Sequence, residues 1–171
     1  MLRRAFLRIL LIFSFWALEG ENVNAWSLLE AITAQNDPSL WINSPPLTDS
    51  DLKNKVVLIE FWTFDCGNCQ NSLPYMKKWY EEYKDKGLII IGVHSPELQH
   101  EREVGNLKKA ISNNEISYPV LMDNNFEVWR AFHTRLWPTI HVLNRSSQIV
   151  HTQVGDGNYE ATEAVIQRLI S

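Results

Sequence analysis

Cysteine occurs twice in the 171 residues, at Cys66 and Cys69 within FDCGNCQNSLP, with the two thiols one helical turn apart. A disulfide between them closes a loop of two residues. The entropy that a cross-link removes from the unfolded chain grows with loop length, so such a bridge adds little stability. The spacing points instead to chemistry or to a ligand. Disulfide exchange needs a thiolate that attacks and a second thiol within reach to resolve the mixed disulfide. Cys66 suits the first role if it opens a helix, where free N–H groups and the helix dipole favour an anion. Cys69 then lies on the same face one turn deeper and suits the second. The alternative ligand is zinc, which as a rule takes four donors. With no second cysteine pair, two of His94, His100, His133, His141 and His151 would have to converge on the first.

The elements that must position this pair follow from hydrophobic periodicity. KVVLIEFW (Lys55 to Trp62) is a nearly continuous apolar run rich in β-branched residues, which predicts a strand covered on both faces. After it, Cys69, Leu73, Met76, Tyr80 and Tyr83 recur at helical spacing, with Lys77, Lys78, Glu81, Glu82 and Lys84 opposite. Pro74 kinks that helix, because it lacks the N–H owed to the carbonyl of Gln70. Gly87 ends it, and LIIIGV (Leu88 to Val93) is a second buried strand, giving a right-handed crossover. A helix over Glu101 to Ser112 turns Val104, Leu107 and Ile111 inward. YPVLMD is a weaker strand and NNFEVWRAFH a short helix, while TIHVL and QIVHTQVG form a hairpin about NRSS. The last helix, Tyr159 to Ile170, directs Thr162, Val165, Ile166, Leu169 and Ile170 inward. Before the first strand, Trp26 to Ala34 permits a short helix, and Pro38, Pro45 and Pro46 mark an extended entry. The order β-α-β-α-(β)-α-β-β-α is that of an α/β sandwich with a central mixed sheet between helices.

Residues 1–25 read as a secretory leader. Arg3, Arg4 and Arg8 precede the apolar run Ile9 to Leu18, and VNA ends at Ala25 with small residues suited to a signal peptidase. A retained membrane anchor is the alternative, although the run is short of the roughly 20 residues that span a bilayer. This predicts a leader over 1–25, an entry segment over 26–40 and one domain over 41–171. Without the leader, 13 basic and 18 acidic residues remain. A mildly acidic chain is a poor partner for nucleic acid or an anionic membrane surface.

The strand, Trp62, Cys66-Gly67-Asn68-Cys69 and Pro74 five residues beyond together resemble the thioredoxin superfamily. From Trp41 to Ile170, the segments KVVLIEFWTFDCGNCQNSLPYM, GVHSPE, ISYPVLMDNNFEVWRAF, WPTIHVLN and VGDGNY are similar in order to the exported TlpA-like branch, above all to the thioredoxin-like domain of DipZ-type proteins. The resemblance implies a thioredoxin-like fold with a strand-helix insertion over Glu97 to Phe132. It also implies a cis proline at Pro138 that faces the cysteines and whose neighbouring backbone pairs with the substrate chain. Trp137 departs from the small or β-branched residue usual there, and its bulk narrows partner choice.

Glu60 is anomalous before any comparison, because a carboxylate on a strand covered on both faces loses hydration and has a raised pKa. The resemblance places it beneath the active site as proton acceptor for Cys69, where Asp or Asn is usual. Trp62 is read as a packing and partner-surface residue or as a plain core tryptophan, Asp65 as a negative charge beside the thiolate or a helix cap. His94 and His141 are read as structural histidines.

These readings together predict a periplasmic or otherwise exported thiol–disulfide oxidoreductase. Cys66 attacks, Cys69 resolves, Glu60 moves the proton, and Pro138 with Trp137 shapes the docking groove. The resemblance implies a monomer that reduces disulfides of exported proteins, with cytochrome c maturation as one setting, and draws electrons from a membrane thiol–disulfide donor. The electrons reside in two sulfurs, so neither cofactor nor metal is required. Two rivals stand beside it. A thiol peroxidase would use Thr63, three residues before Cys66, but Phe61 and Trp62 stand where the usual upstream proline belongs. A copper chaperone would use both cysteines and a distant histidine such as His133 or His141.

Overall fold

The computed structural model describes residues 25–171, and the predicted leader, apart from Ala25, lies outside the described residues. Every residue of β2 (Val56–Trp62) is buried, and six of the seven in β3 (Leu88–His94) are. The two strands run parallel at the centre of a six-stranded sheet, with Glu60 opposite Gly92. Alternation along β2 makes two cores. Val56, Leu58 and Trp62 face one, with α3 (Gly67–Tyr83), α4 (Val104–Asn113) and α6 (Tyr159–Ile170) over it. Val57, Ile59 and Phe61 face the other, beneath α1 (Ala25–Thr33), α2 (Asp49–Leu52) and α5 (Glu127–Ala131). Such double coverage is what the unbroken apolar runs require.

The rest of the sheet closes around that centre. β4 (Val120–Met122) pairs parallel with β3, and β1 (Trp41–Ile42) antiparallel with β4. On the other side β5 (Thr139–Leu143) pairs antiparallel with β2 and forms a hairpin with β6 (Ile149–Val154). The expected fold is therefore present, with additions at its beginning. Trp41 and Ile42, just past the entry segment, supply a strand, and Leu29 and Ile32 of α1 are buried in the second core.

Two side-chain expectations change. On α3 the fully buried aromatic is Trp79, while Tyr80 is only partly covered, because Trp79 meets Tyr159 of α6 and Tyr80 lies outward against Tyr118. Val104 is 41% exposed, whereas Leu107 and Ile111 are buried as expected. The reason lies just upstream. Gln99–Arg102 forms a separate 3-10 turn, so α4 begins three residues later than its periodicity suggested, with Val104 on the first turn. Glu101 consequently sits inside the fold.

Candidate active site

Strand β2 ends at Trp62, and Thr63 to Asp65 lead into α3, whose N-cap is Cys66. Cys66 and Cys69 form a disulfide with their Cα atoms 5.2 Å apart. The Cys69 backbone N–H donates to Cys66 Sγ at 3.2 Å, so the sulfur already occupies the capping position where a thiolate gains from the helix terminus. Cys69 is fully buried and Cys66 only half-buried. An incoming disulfide can therefore reach only one of the two sulfurs.

Pro138 is brought to the same end of the sheet. The antiparallel register sets Thr139 opposite Phe61, which places Pro138 level with Trp62 at the mouth of β2. The Trp137–Pro138 peptide is cis. The Pro138 carbonyl accepts from Gly155 N–H at 2.8 Å. Trp137 is fixed on two sides: its Nε1 donates to the Ser95 carbonyl, just before the insertion, at 2.9 Å, and its ring lies 4.4 Å from that of Trp129 on α5, within it.

Glu60 is fully buried between β2 and α3, and burial pushes its carboxyl up to about 8 against one opposing hydrogen bond, from Ser72. Ser72 Oγ lies 2.5 Å from Oε1, and Oε2 has no partner among the described residues. Trp62, beside it, keeps its packing role and loses its partner-surface one. With no exposed surface and its ring edge-on to His94 at 5.4 Å, it offers nothing to a docked partner.

A second carboxylate was not foreseen. Glu101, from the insertion, accepts the Thr63 hydroxyl and, at 3.1 Å, the Asp65 N–H on Oε1. On Oε2 it accepts the Glu97 and Leu98 N–H groups at 2.7 and 2.6 Å. Burial opposes its charge, but these four donors outweigh that and hold its pKa below the ordinary value. The loop carrying Cys66 is thereby tied to the insertion. Thr63 spends its single proton on Glu101, so the His94 contact at 3.2 Å requires the proton to be on His94 Nε2. Burial lowers both His94 and His141 to about 4, so both are neutral at neutral pH. Asp65 is exposed with its carboxylate 2.5 Å from His100 Nε2, and the helix cap is Cys66 rather than Asp65. His141 faces Thr152 at 2.9 Å. Among the described residues no three His, Cys, Asp or Glu side chains gather in a metal-binding cluster, and no helix is long and apolar enough to cross a membrane.

The arrangement is that of a thioredoxin-like fold with a redox-capable cysteine pair at the first strand–helix junction of its central crossover. The chain belongs to the Redoxin family, whose model matches residues 43–170. It is 40% identical over 134 residues to Protein DipZ of Mycobacterium tuberculosis, a match covering 77% of this chain and 19% of DipZ. The chain thus spans about a fifth of the length of that relative. It is 24% identical over 131 residues to the thiol-disulfide oxidoreductase YkuV of Bacillus subtilis, covering 77% of this chain and 88% of YkuV. A solution structure of a thioredoxin-like protein in the oxidized form superposes with a TM-score of 0.71 at 24% identity, over 81% of this chain and 93% of that one.

Ser72 and Glu101 were both missed in the sequence. A signal existed for Ser72: it is a polar residue on the α3 stripe that faces β2, three residues after Cys69, and a buried Glu60 needs a donor. No comparable signal marked Glu101, whose burial depends on donors as far as 38 residues away in sequence.

Proposed function

We propose that this chain is an exported thiol–disulfide oxidoreductase that reduces disulfides in partner proteins. The observation that carries the reading is the asymmetry of the cysteine pair, a half-buried Cys66 at the N-cap of α3 and a fully buried Cys69 behind it. The Cys66 thiolate attacks one sulfur of a partner disulfide, and the partner's other sulfur leaves as a thiolate. Cys69 gives its proton to Glu60 and displaces the remaining partner sulfur, which closes the Cys66–Cys69 bond. Among the described residues nothing binds the backbone N–H or carbonyl of Trp137, which leaves them free to pair with an extended substrate chain beside Pro138. The name of YkuV supports the reaction class, and the leader-like pattern of residues 1–25, with the resemblance to the exported TlpA-like branch, supports an exported setting with a membrane thiol–disulfide donor. Partners in cytochrome c maturation fit the same chemistry. The peroxidase reading loses support because the Thr63 hydroxyl is committed to Glu101 inside the fold.

The direction of electron flow follows from charge. A disulfide is strongly oxidising when its reduced thiolate is well stabilised. Here Gly67 and Asn68 bring no positive charge between the cysteines, while Asp65 and the Glu101 carboxylate bring negative charge behind the loop. The expected potential is therefore nearer thioredoxin's, about −270 mV, than a strong oxidant's, about −120 mV. Titration against glutathione or dithiothreitol, read by tryptophan fluorescence, measures it, and a value above about −180 mV makes the chain an oxidant or isomerase instead. The roles of the cysteines are tested by trapping. Cys69→Ser accumulates mixed disulfides through Cys66 on non-reducing gels, and adducts appearing only with Cys66→Ser reverse the assignment.

A further inference from the structure

Ser72 stands between the groups that handle the proton in this reaction, and the established pattern of cysteines and proline gives it no part. It lies on α3 three residues past Cys69 and is fully buried. Its hydroxyl has one proton and two acceptors in reach, Glu60 Oε1 at 2.5 Å and the Cys69 carbonyl at 2.7 Å. One O–H cannot serve both.

The protonation state of Glu60 decides which acceptor is served. When Glu60 is ionised, the hydroxyl donates to the carboxylate, since a charged acceptor makes the stronger bond. When Glu60 is protonated, its own O–H can donate to Ser72 Oγ, and the Ser72 proton turns to the Cys69 carbonyl. The hydroxyl thus links the charge of Glu60 to the peptide group of Cys69.

No other neighbour provides a hydrogen bond. Gly92 of β3 and Ile140 of β5 lie opposite Glu60 in the sheet and have no polar side chain. Trp62 Nε1 and the Tyr118 hydroxyl are buried without a partner among the described residues. Tyr118 is held neutral by burial first and by Glu60 second, and Tyr159 of α6 is likewise raised, with Glu60 a minor cause. His94, two residues further along β3, is neutral. Ser72 supplies the single bond that opposes the effect of burial on Glu60.

We propose that Ser72 is a positioning residue whose hydroxyl sets the proton affinity of Glu60 and couples it to Cys69 while the mixed disulfide is resolved. The proposal rests on the reading of Glu60 as proton acceptor. In that step the Cys69 thiol loses its proton to the Glu60 carboxylate, and the thiolate attacks Cys66 Sγ. The Cys66–Cys69 bond forms as the Cys66–partner bond breaks. The partner sulfur leaves with the electron pair and takes a proton from solvent. Glu60, now neutral, donates to Ser72, and Ser72 turns to the Cys69 carbonyl.

The test is the rate at which the reduced full chain reduces oxidised glutathione between pH 5.5 and 10, with the Glu60 carboxyl followed in parallel by carbon-13 NMR. Ser72→Ala should move the inflection and the Glu60 titration upward together by about one pH unit, the effect of removing a hydrogen bond from a buried carboxylate. Ser72→Thr, which keeps the hydroxyl, should restore both. Glu60→Gln should abolish the inflection, and Ser72→Ala should add no shift in that background. If Glu60→Gln flattens the profile while Ser72→Ala overlays wild type, the proposal falls and the reading of Glu60 survives. A profile unchanged by Glu60→Gln overturns both. A shift from Ser72→Ala that persists with Glu60→Gln also overturns the proposal, because Ser72 then acts without Glu60.

Discussion

Two carboxylates lie fully buried within the candidate site, Glu60 under α3 and Glu101 behind the loop that carries Cys66, yet they are held in opposite charge states. Glu60 has one hydroxyl donor and is pushed up to about 8. Glu101 has a hydroxyl and three backbone N–H donors and lies below its ordinary value. Burial alone does not decide ionisation; the number of donors aimed at the carboxylate does. The consequence is a division of labour. A carboxylate that titrates near neutrality can exchange a proton, and one that stays charged can hold a loop.

The largest expected effect tests the structural half of the comparison. Glu101→Ala strands the Thr63 hydroxyl in the interior and leaves three part-buried N–H groups without their charged acceptor, and removing one partner of a buried hydrogen-bonded charge costs about 3–5 kcal/mol. For a chain of this size that lowers Tm by roughly 10 °C. A loss of less than about 1 kcal/mol in urea unfolding would mean that the donors find other partners and that Glu101 does not fasten the loop.

The next effect concerns pH. The folded-state pKa of Glu60 is raised, so its protonated form contributes stability that is fully present below the unfolded value near 4.5 and is lost as pH rises through about 8. Glu101 has the opposite sign. Its folded pKa is lowered, so its contribution is present above the unfolded value and is lost as pH falls below it. His94 and His141, lowered to about 4, also gain stability as pH rises, in the window from about 4 to 6.5. Subtracting wild type from Glu60→Gln removes their contribution. The difference should rise by about 1.4 kcal/mol per pH unit between pH 5 and 8, in favour of the variant, when read by urea unfolding across that range. A difference that is flat with pH would show Glu60 to be ionised throughout, like Glu101.

The smallest effect belongs to the exposed acid. Asp65 and His100 are both about half exposed, so Asp65→Asn should raise the reduction potential by less than about 20 mV, the size of a surface ion pair in a two-electron couple. A larger rise would place the main electrostatic control of Cys66 at the surface rather than at Glu101.

Much of the architecture was legible because it rests on short-range patterns. The apolar runs of β2 and β3 required two covered faces, the cysteine spacing required a helix start, and Glu60 stood out as a charge inside an apolar run. Each of these depends on residues within a turn or a strand of one another. The resemblance supplied Pro138, which the register of β5 on β2 then set at the mouth of the crossover. Where local pattern misled, the cause was contact with a distant element. Tyr159 of α6 selected Trp79 for burial, the Gln99–Arg102 turn left Val104 outside, and the full core on that face of β2 enclosed Trp62.

The sequence by itself determined that two thiols stand at a helix start beside an acid that must lie among apolar neighbours, because neighbouring residues fix strand, helix and face. Tertiary structure alone decided the opposite shifts of the two carboxylates. A proton on Glu60 is governed by Ser72, 12 residues away on another element, and the charge on Glu101 by groups up to 38 residues away. Ionisation in the interior depends on how many hydrogen-bond donors converge in space, and that convergence exists only once the insertion and the crossover have packed together.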